Sequence, residues 1–70
     1  RYEEAMAEIE KVLEAEPNYP PALCTKGELL EKLGRDAEGL EYFNRVQDLI
    51  KGNETWELLY KYVVNKLENR

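Results

Sequence analysis

RYEEAMAEIEKVLE, residues 1–14, comes back loosely but in register as RDAEGLEYFNRVQD, residues 35–48. Arg1 aligns with Arg35, Glu4 with Glu38, Ala5 with Gly39 and Met6 with Leu40. Ile9 then aligns with Phe43, Lys11 with Arg45, Val12 with Val46 and Glu14 with Asp48. Small residues fall on small ones, large apolar on large apolar, charge on like charge. A period of about 34 residues marks a helical hairpin array, in which each unit hides its apolar face only by stacking on neighbours. Such a chain is expected to bind rather than to catalyse.

Working outward from the two copies, apolar residues recur at helical spacing throughout, and no stretch alternates long enough for a strand. The expected fold class is all-α, an antiparallel helix-turn-helix array of four helices. The first helix carries Tyr2, Ala5, Met6, Ile9, Val12 and Leu13 on one stripe and Glu3, Glu4, Glu8, Glu10, Lys11 and Glu14 on the other face. Pro17 ends it, because proline lacks the amide donor and restricts the residue before it. Pro20 and Pro21 suit the start of the second helix, whose first amides need no intrahelical partner. That helix is expected to bury Ala22, Leu23, Leu29, Leu30 and Leu33, with Gly34 as its left-handed cap. Asp36 is placed to cap the third helix, which shows Leu40, Phe43, Val46 and Ile50 on one face with Tyr42 and Leu49 beside it. Gly39 costs that helix roughly 1 kcal/mol relative to Ala, which predicts a close approach there, matched by Gly27 opposite. Gly52 and Asn53 separate the third helix from the fourth. The fourth carries Trp56, Leu59, Tyr60, Val63 and Leu67, and also Leu58, Tyr62 and Val64, a wider apolar face than one neighbour requires.

Leu23, Lys26-Gly27 and Leu30, then Gly34, Gly39 and Phe43, resemble the pattern of the tetratricopeptide repeat, a helix-turn-helix unit of about 34 residues. One full unit runs over residues 20–53. Residues 1–16, with Tyr2, Ala5, Ile9 and Val12 followed by Pro17, match a second helix that lacks its own first. Residues 54–68 form a partial repeat or capping helix. Residues 1–70 thus make a single domain of about two units, incomplete at both ends. Departures from the family pattern are Gly39 for alanine, Lys51 where a proline is usual, and a fourth helix one residue short if Trp56 takes the place of Leu23. Arg1 falls inside a repeat and no Met precedes it, as expected of a piece of a longer protein.

Seventy residues bury only about 60% of the surface that the unfolded chain exposes. Cys24 is the single cysteine, so no intrachain disulfide can staple the domain, which suits a reducing, cytoplasmic setting. No apolar run approaches the ~18 residues of a membrane span. Fifteen acidic against ten basic residues give a net charge of −5. Phosphate binding needs a basic patch, so neither nucleic acid nor membrane is an expected partner.

The catalytic inventory is short. With no His and no Ser, the chain lacks the usual proton shuttle and cannot form a Ser-His or Cys-His pair. Carboxylate pairs such as Glu4/Glu8 and Glu28/Glu31 read as a solvated charged surface rather than a catalytic acid pair. No phosphate loop or calcium loop is present, a structural zinc would lack ligands, and no cofactor is expected. An enzyme is not.

In tetratricopeptide arrays the first helices of successive units line a concave groove for an extended peptide or a helix. The resemblance carries that role onto Pro21, Cys24, Glu28, Glu31 and Lys32 and, with the shortened spacing, onto Glu57, Lys61, Val64 and Asn65. Some members hold a partner's C-terminal carboxylate between basic and amide side chains. Here Cys24 and Glu28 stand at those places, and a basic or apolar peptide is the better fit. The alternative is self-association, a homodimer through the unpaired terminal helices, with Trp56, Leu58, Tyr60, Tyr62 and Val63 as contact candidates. A compact intramolecular pairing of helices one and four would instead leave the chain monomeric.

Overall fold

The computed structural model describes residues 1–69. Four α-helices follow one another: α1 (Tyr2–Ala15), α2 (Pro20–Lys32), α3 (Asp36–Ile50) and α4 (Glu57–Glu68), with a 3₁₀ turn (Glu54–Trp56) leading into the last. There is no strand among the described residues.

The punctuation is chemical. Glu16, held extended before Pro17, stops α1 after Ala15. Pro20 and Pro21 occupy the first two positions of α2. At its other end Gly34 takes φ +80°, the Gly34 amide donates to the Glu31 carbonyl at 3.0 Å and the Arg35 amide to the Leu30 carbonyl at 2.8 Å. That pair of bonds is a Schellman cap, and it reverses the chain within three residues. The reversal corrects one expectation. Arg35, not Asp36, becomes the N-cap of α3, and Asp36 is already helical with no side-chain capping bond. The first turn is secured instead by Arg35, whose guanidinium donates to both oxygens of Glu38 at 2.6 and 2.8 Å. Gly52 (φ +77°) makes the next reversal, after which the Asn53 side chain accepts from the Thr55 amide at 2.9 Å.

Packing is sequential: α1 lies on α2, α2 on α3 and α3 on α4. Leu23, Cys24, Phe43, Val46, Ile50 and Val63 form the core, with Trp56, Leu59, Tyr60 and Leu67 of the fourth helical segment packed against it. The α2–α3 crossing is tightest at the two glycines. A Cβ on Gly39 would stand 2.7 Å from the Gly27 carbonyl oxygen, and one on Gly27 would stand 3.1 Å from the Gly39 carbonyl and the Phe43 ring. The close approach predicted from Gly39 is therefore real.

Three further expectations change. Leu33 is 37% exposed, because it is the capping residue of α2 and lies beyond the face that meets α3. The α1 stripe is only half covered. No residue of α1 is fully buried, since α2 alone packs against it, and Tyr2 and Val12 lie open. Finally, α1 and α4 have no packed interface with each other. Extents of 33 × 29 × 15 Å describe helices laid side by side, so the intramolecular pairing of the terminal helices does not form.

Lys26 ties three helices together. Its ammonium lies 3.2 Å from Glu10 of α1 and 4.8 Å from the centre of the Tyr42 ring of α3, which Arg45 also approaches at 5.1 Å.

Candidate functional site

Side chains of α2 and α4 line an open cleft of about 630 Å³. Its α2 wall carries Thr25, Glu28, Leu29, Glu31 and Lys32, successive turns of one helix. Its α4 wall is Tyr62 and Lys66, and Tyr2 of α1 also lines it. Two polar contacts bridge the walls. The Tyr62 hydroxyl donates to Glu28 Oε2, and Lys66 Nζ lies 3.1 Å from Glu31 Oε1. Lys66 Nζ also sits 5.6 Å above the Phe43 ring, so its aliphatic stem lies over the core while its charge reaches the cleft.

Electrostatics follow from that arrangement. The hydrogen bond to Glu28, then burial, pushes the Tyr62 phenol up to about 12, since an ionised phenolate beside a carboxylate is disfavoured. Burial, then the Glu28 charge, pushes the Cys24 thiol up to about 11. Cys24 is therefore an inert thiol beneath the cleft rather than a nucleophile in it.

The residues named from sequence separate cleanly. Glu28, Glu31 and Lys32 come together along the cleft. Cys24 does not, being 4% exposed within the core, and Pro21 stays in the half-buried first turn of α2 outside it. The α4 set is displaced. Glu57 lines a hollow with Ile50, Gly52 and Tyr60, and Lys61, Val64 and Asn65 line another beside Tyr60 and Glu68. Asn65 also lines a hollow of about 330 Å³ that it shares with Asp36 and Leu40 and with Glu31 and Lys66 of the cleft, so it adjoins the cleft without lining it. None of these four reaches the α2–α4 cleft.

The physical reason is register. Matching Trp56 to Leu23 shortens the repeat by one residue and turns α4 by one position. Strict 34-residue spacing carries Glu28 onto Tyr62 and Lys32 onto Lys66, the two α4 side chains that line the cleft. The signal was present in the period itself. Thr25, Leu29 and Tyr2, also in the cleft, were not singled out for it.

Of the contact candidates for self-association, Val63 is 0% exposed and belongs to the core. Trp56 and Tyr60 pack against that core, Trp56 meeting the Tyr19 ring edge-on at 6.3 Å. Only Leu58, 82% exposed, and Tyr62, 42% exposed, face outward.

A helix-turn-helix array with glycines at the hairpin crossing is the architecture of a helical repeat protein. A family model described as tetratricopeptide repeat matches residues 1–19 and 20–53, and the chain belongs to that family. No curated protein and no solved structure matches the chain. Tetratricopeptide repeats generally mediate protein–protein interaction and are typically not catalytic. The match stops before α4. No described helix is long and apolar enough to cross a membrane.

Proposed function

We propose that this chain is a non-catalytic interaction module that takes an extended peptide or helix of a partner protein in the α2–α4 cleft, in a cytoplasmic setting. The observation that carries the reading is that Glu28 and Glu31 line one cleft together with Thr25, Leu29 and the ring of Tyr62. A partner segment with basic and apolar side chains complements that wall, and an acidic one does not. The test is fluorescence anisotropy of a labelled arginine-containing peptide with the wild type and with the Glu28→Lys/Glu31→Lys protein. Binding should be lost on reversal, and wild-type affinity should fall as salt rises. Unchanged affinity in a variant that is still helical removes the groove assignment.

A second reading has its own support. Leu58 stands open at one end of the array, and α1 at the other end has no fully buried residue. Pairing α4 of one copy with α1 of the next would cover both, as a heterologous contact that propagates unless it closes. Sedimentation over a hundredfold concentration range decides it, because a mass that stays monomeric throughout excludes this reading.

A further inference from the structure

The place that α2 fills on its neighbours is built twice in this chain. On α3, Gly27 of α2 meets the Gly39 carbonyl and the Phe43 ring, and Phe43 and Val46 are 0% exposed. Beside it, Leu59 and Val63 of α4 pack into the core that holds Leu23 and Cys24. Moved back by 34 residues, Gly39, Phe43 and Val46 become Ala5, Ile9 and Val12 of α1, and Leu59 and Val63 become Thr25 and Leu29 of α2. This second place is open. Val12 is 39% exposed where Val46 is 0%, no residue of α1 is fully buried, and Tyr2 of α1 borders an opening with Thr25 and Leu29. We propose that this α1–α2 face docks an amphipathic helix of another protein, one that presents leucines around a single small residue with a lysine or arginine immediately before it. The proposal stands apart from the groove reading, which rests on Glu28 and Glu31.

Each part of that description is set by a residue. Ala5 keeps a small side chain at the position where α3 comes closest to α2, so the occupant needs a small residue opposite, as α2 has Gly27. Ile9 and Val12 need the apolar anchors of a helix laid along them. Glu8 stands where α3 has Tyr42, the ring that Lys26 approaches at 4.8 Å. A cation one residue before the small position, as Lys26 is before Gly27, therefore falls on a carboxylate. The rest of the helix agrees in sign, since Tyr2–Ala15 holds five glutamates and one lysine. A second copy of the chain fits less well. The same spacing gives its α4 Lys61 in place of Gly27 and Glu57 in place of Leu23, which fills the crossing and buries charge at its centre.

The probe is a labelled peptide of residues 19–34 carrying Cys24→Ala, the sequence that fills the equivalent place in this fold. Anisotropy is read as the intact protein is added, and circular dichroism checks that each variant is folded. Wild type should bind the peptide saturably. Val12→Asp, at an open position and so compatible with folding, should weaken it at least about tenfold, because docking buries the new charge. A Gly27→Leu peptide should bind at least about fivefold more weakly, although leucine makes the free peptide more helical, because the crossing is then overpacked. A Lys26→Glu peptide should lose about twofold to fivefold and recover that on the Glu8→Lys protein, as one exposed ion pair requires.

Absence of saturable binding to wild type overturns the proposal. So does binding that Val12→Asp leaves unchanged, which would mean that the peptide exchanges with the resident α2. A Gly27→Leu peptide that binds as tightly removes the close crossing and with it the proposed partner chemistry. A wild-type chain that dimerises, with the dimer lost in Val12→Asp, makes a second copy the occupant and overturns the proposal too. Val12→Asp should leave the arginine-containing peptide of the groove test unmoved, so the two readings fail separately.

Discussion

Adding one methyl group at residue 39 sets two effects of known sign against each other. In an isolated helix, replacing Gly39 with Ala is favourable by about 0.5–1 kcal/mol, through the backbone entropy that glycine loses on folding. In this fold the new Cβ would meet the Gly27 carbonyl oxygen at 2.7 Å and Glu31 Cγ at 3.2 Å. The Glu31 side chain can turn aside. The Gly27 carbonyl is α2 backbone, so the two helices must separate, and forced repacking of this kind costs about 1–3 kcal/mol. Phe43 and Leu23 share that crossing and would be loosened with it. The steric term wins, leaving a net loss of about 1–2 kcal/mol. For a domain of this size each kcal/mol moves the midpoint by about 4–8 °C, so Gly39→Ala should melt about 5–15 °C below wild type. Gly27→Ala, whose contacts begin at 3.1 Å, should fall by less. Thermal melts followed by far-ultraviolet circular dichroism give the answer. An unchanged or raised midpoint for Gly39→Ala would mean that Gly39 is only a weak point in a helix and that the crossing is not as close as described.

Two further outcomes concern α4 and the core. Val63→Asp places an unpaired charge at a site with 0% exposure and should abolish the helical fold, whereas Leu58→Asp on the open face should leave the stability within about 0.5 kcal/mol of wild type. Equal damage from both in melting experiments would put α4 in a different orientation. Raising the pH should destabilise the protein. The folded Cys24 and Tyr62 groups both hold their protons more tightly than their ordinary values of 9.0 and 10.0. Their contribution is complete below pH 9.0 and is lost as pH rises through about 11 for Cys24 and about 12 for Tyr62. The midpoint of a Cys24→Ala, Tyr62→Phe protein should therefore decline less over that window, and parallel curves would contradict the assignment. Native Cys24 should also react with a thiol reagent far more slowly than the same thiol in denaturant.

How much of this was legible beforehand differs from element to element. The helix ends were written in Pro17, Pro20, Gly34 and Gly52, residues whose backbone chemistry leaves few alternatives. The crossing of α2 and α3 was legible because a glycine in a helix is costly unless something needs its space. Asp36 misled because a cap residue is defined by the turn before it. The Schellman cap at Gly34 drew Arg35 into that place. Leu33 misled because apolar periodicity does not say where a helix stops meeting its neighbour. On α2, Glu28, Glu31 and Lys32 share one cleft, as residues three and four apart on one helix do. On α4 the aromatic at Trp56 suggested a shortened spacing, and one residue of shift turns a helix by about 100°. That single step moved the expected wall from Tyr62 and Lys66 to Lys61 and Asn65.

The sparse anchoring of α1 has a consequence for how this molecule opens. It rests on one neighbour, its firmest polar tie is the Glu10–Lys26 pair, and none of its side chains is wholly enclosed. Leu13 is its one side chain among those packed against the Phe43 cluster, so the segment can detach while α2, α3 and α4 stay assembled. In an array held by nearest-neighbour interfaces, opening then proceeds from the end inward. Amide protons of α1 should exchange with solvent at the small free energy of undocking one helix, and those of α3 only at the cost of dissolving the whole core.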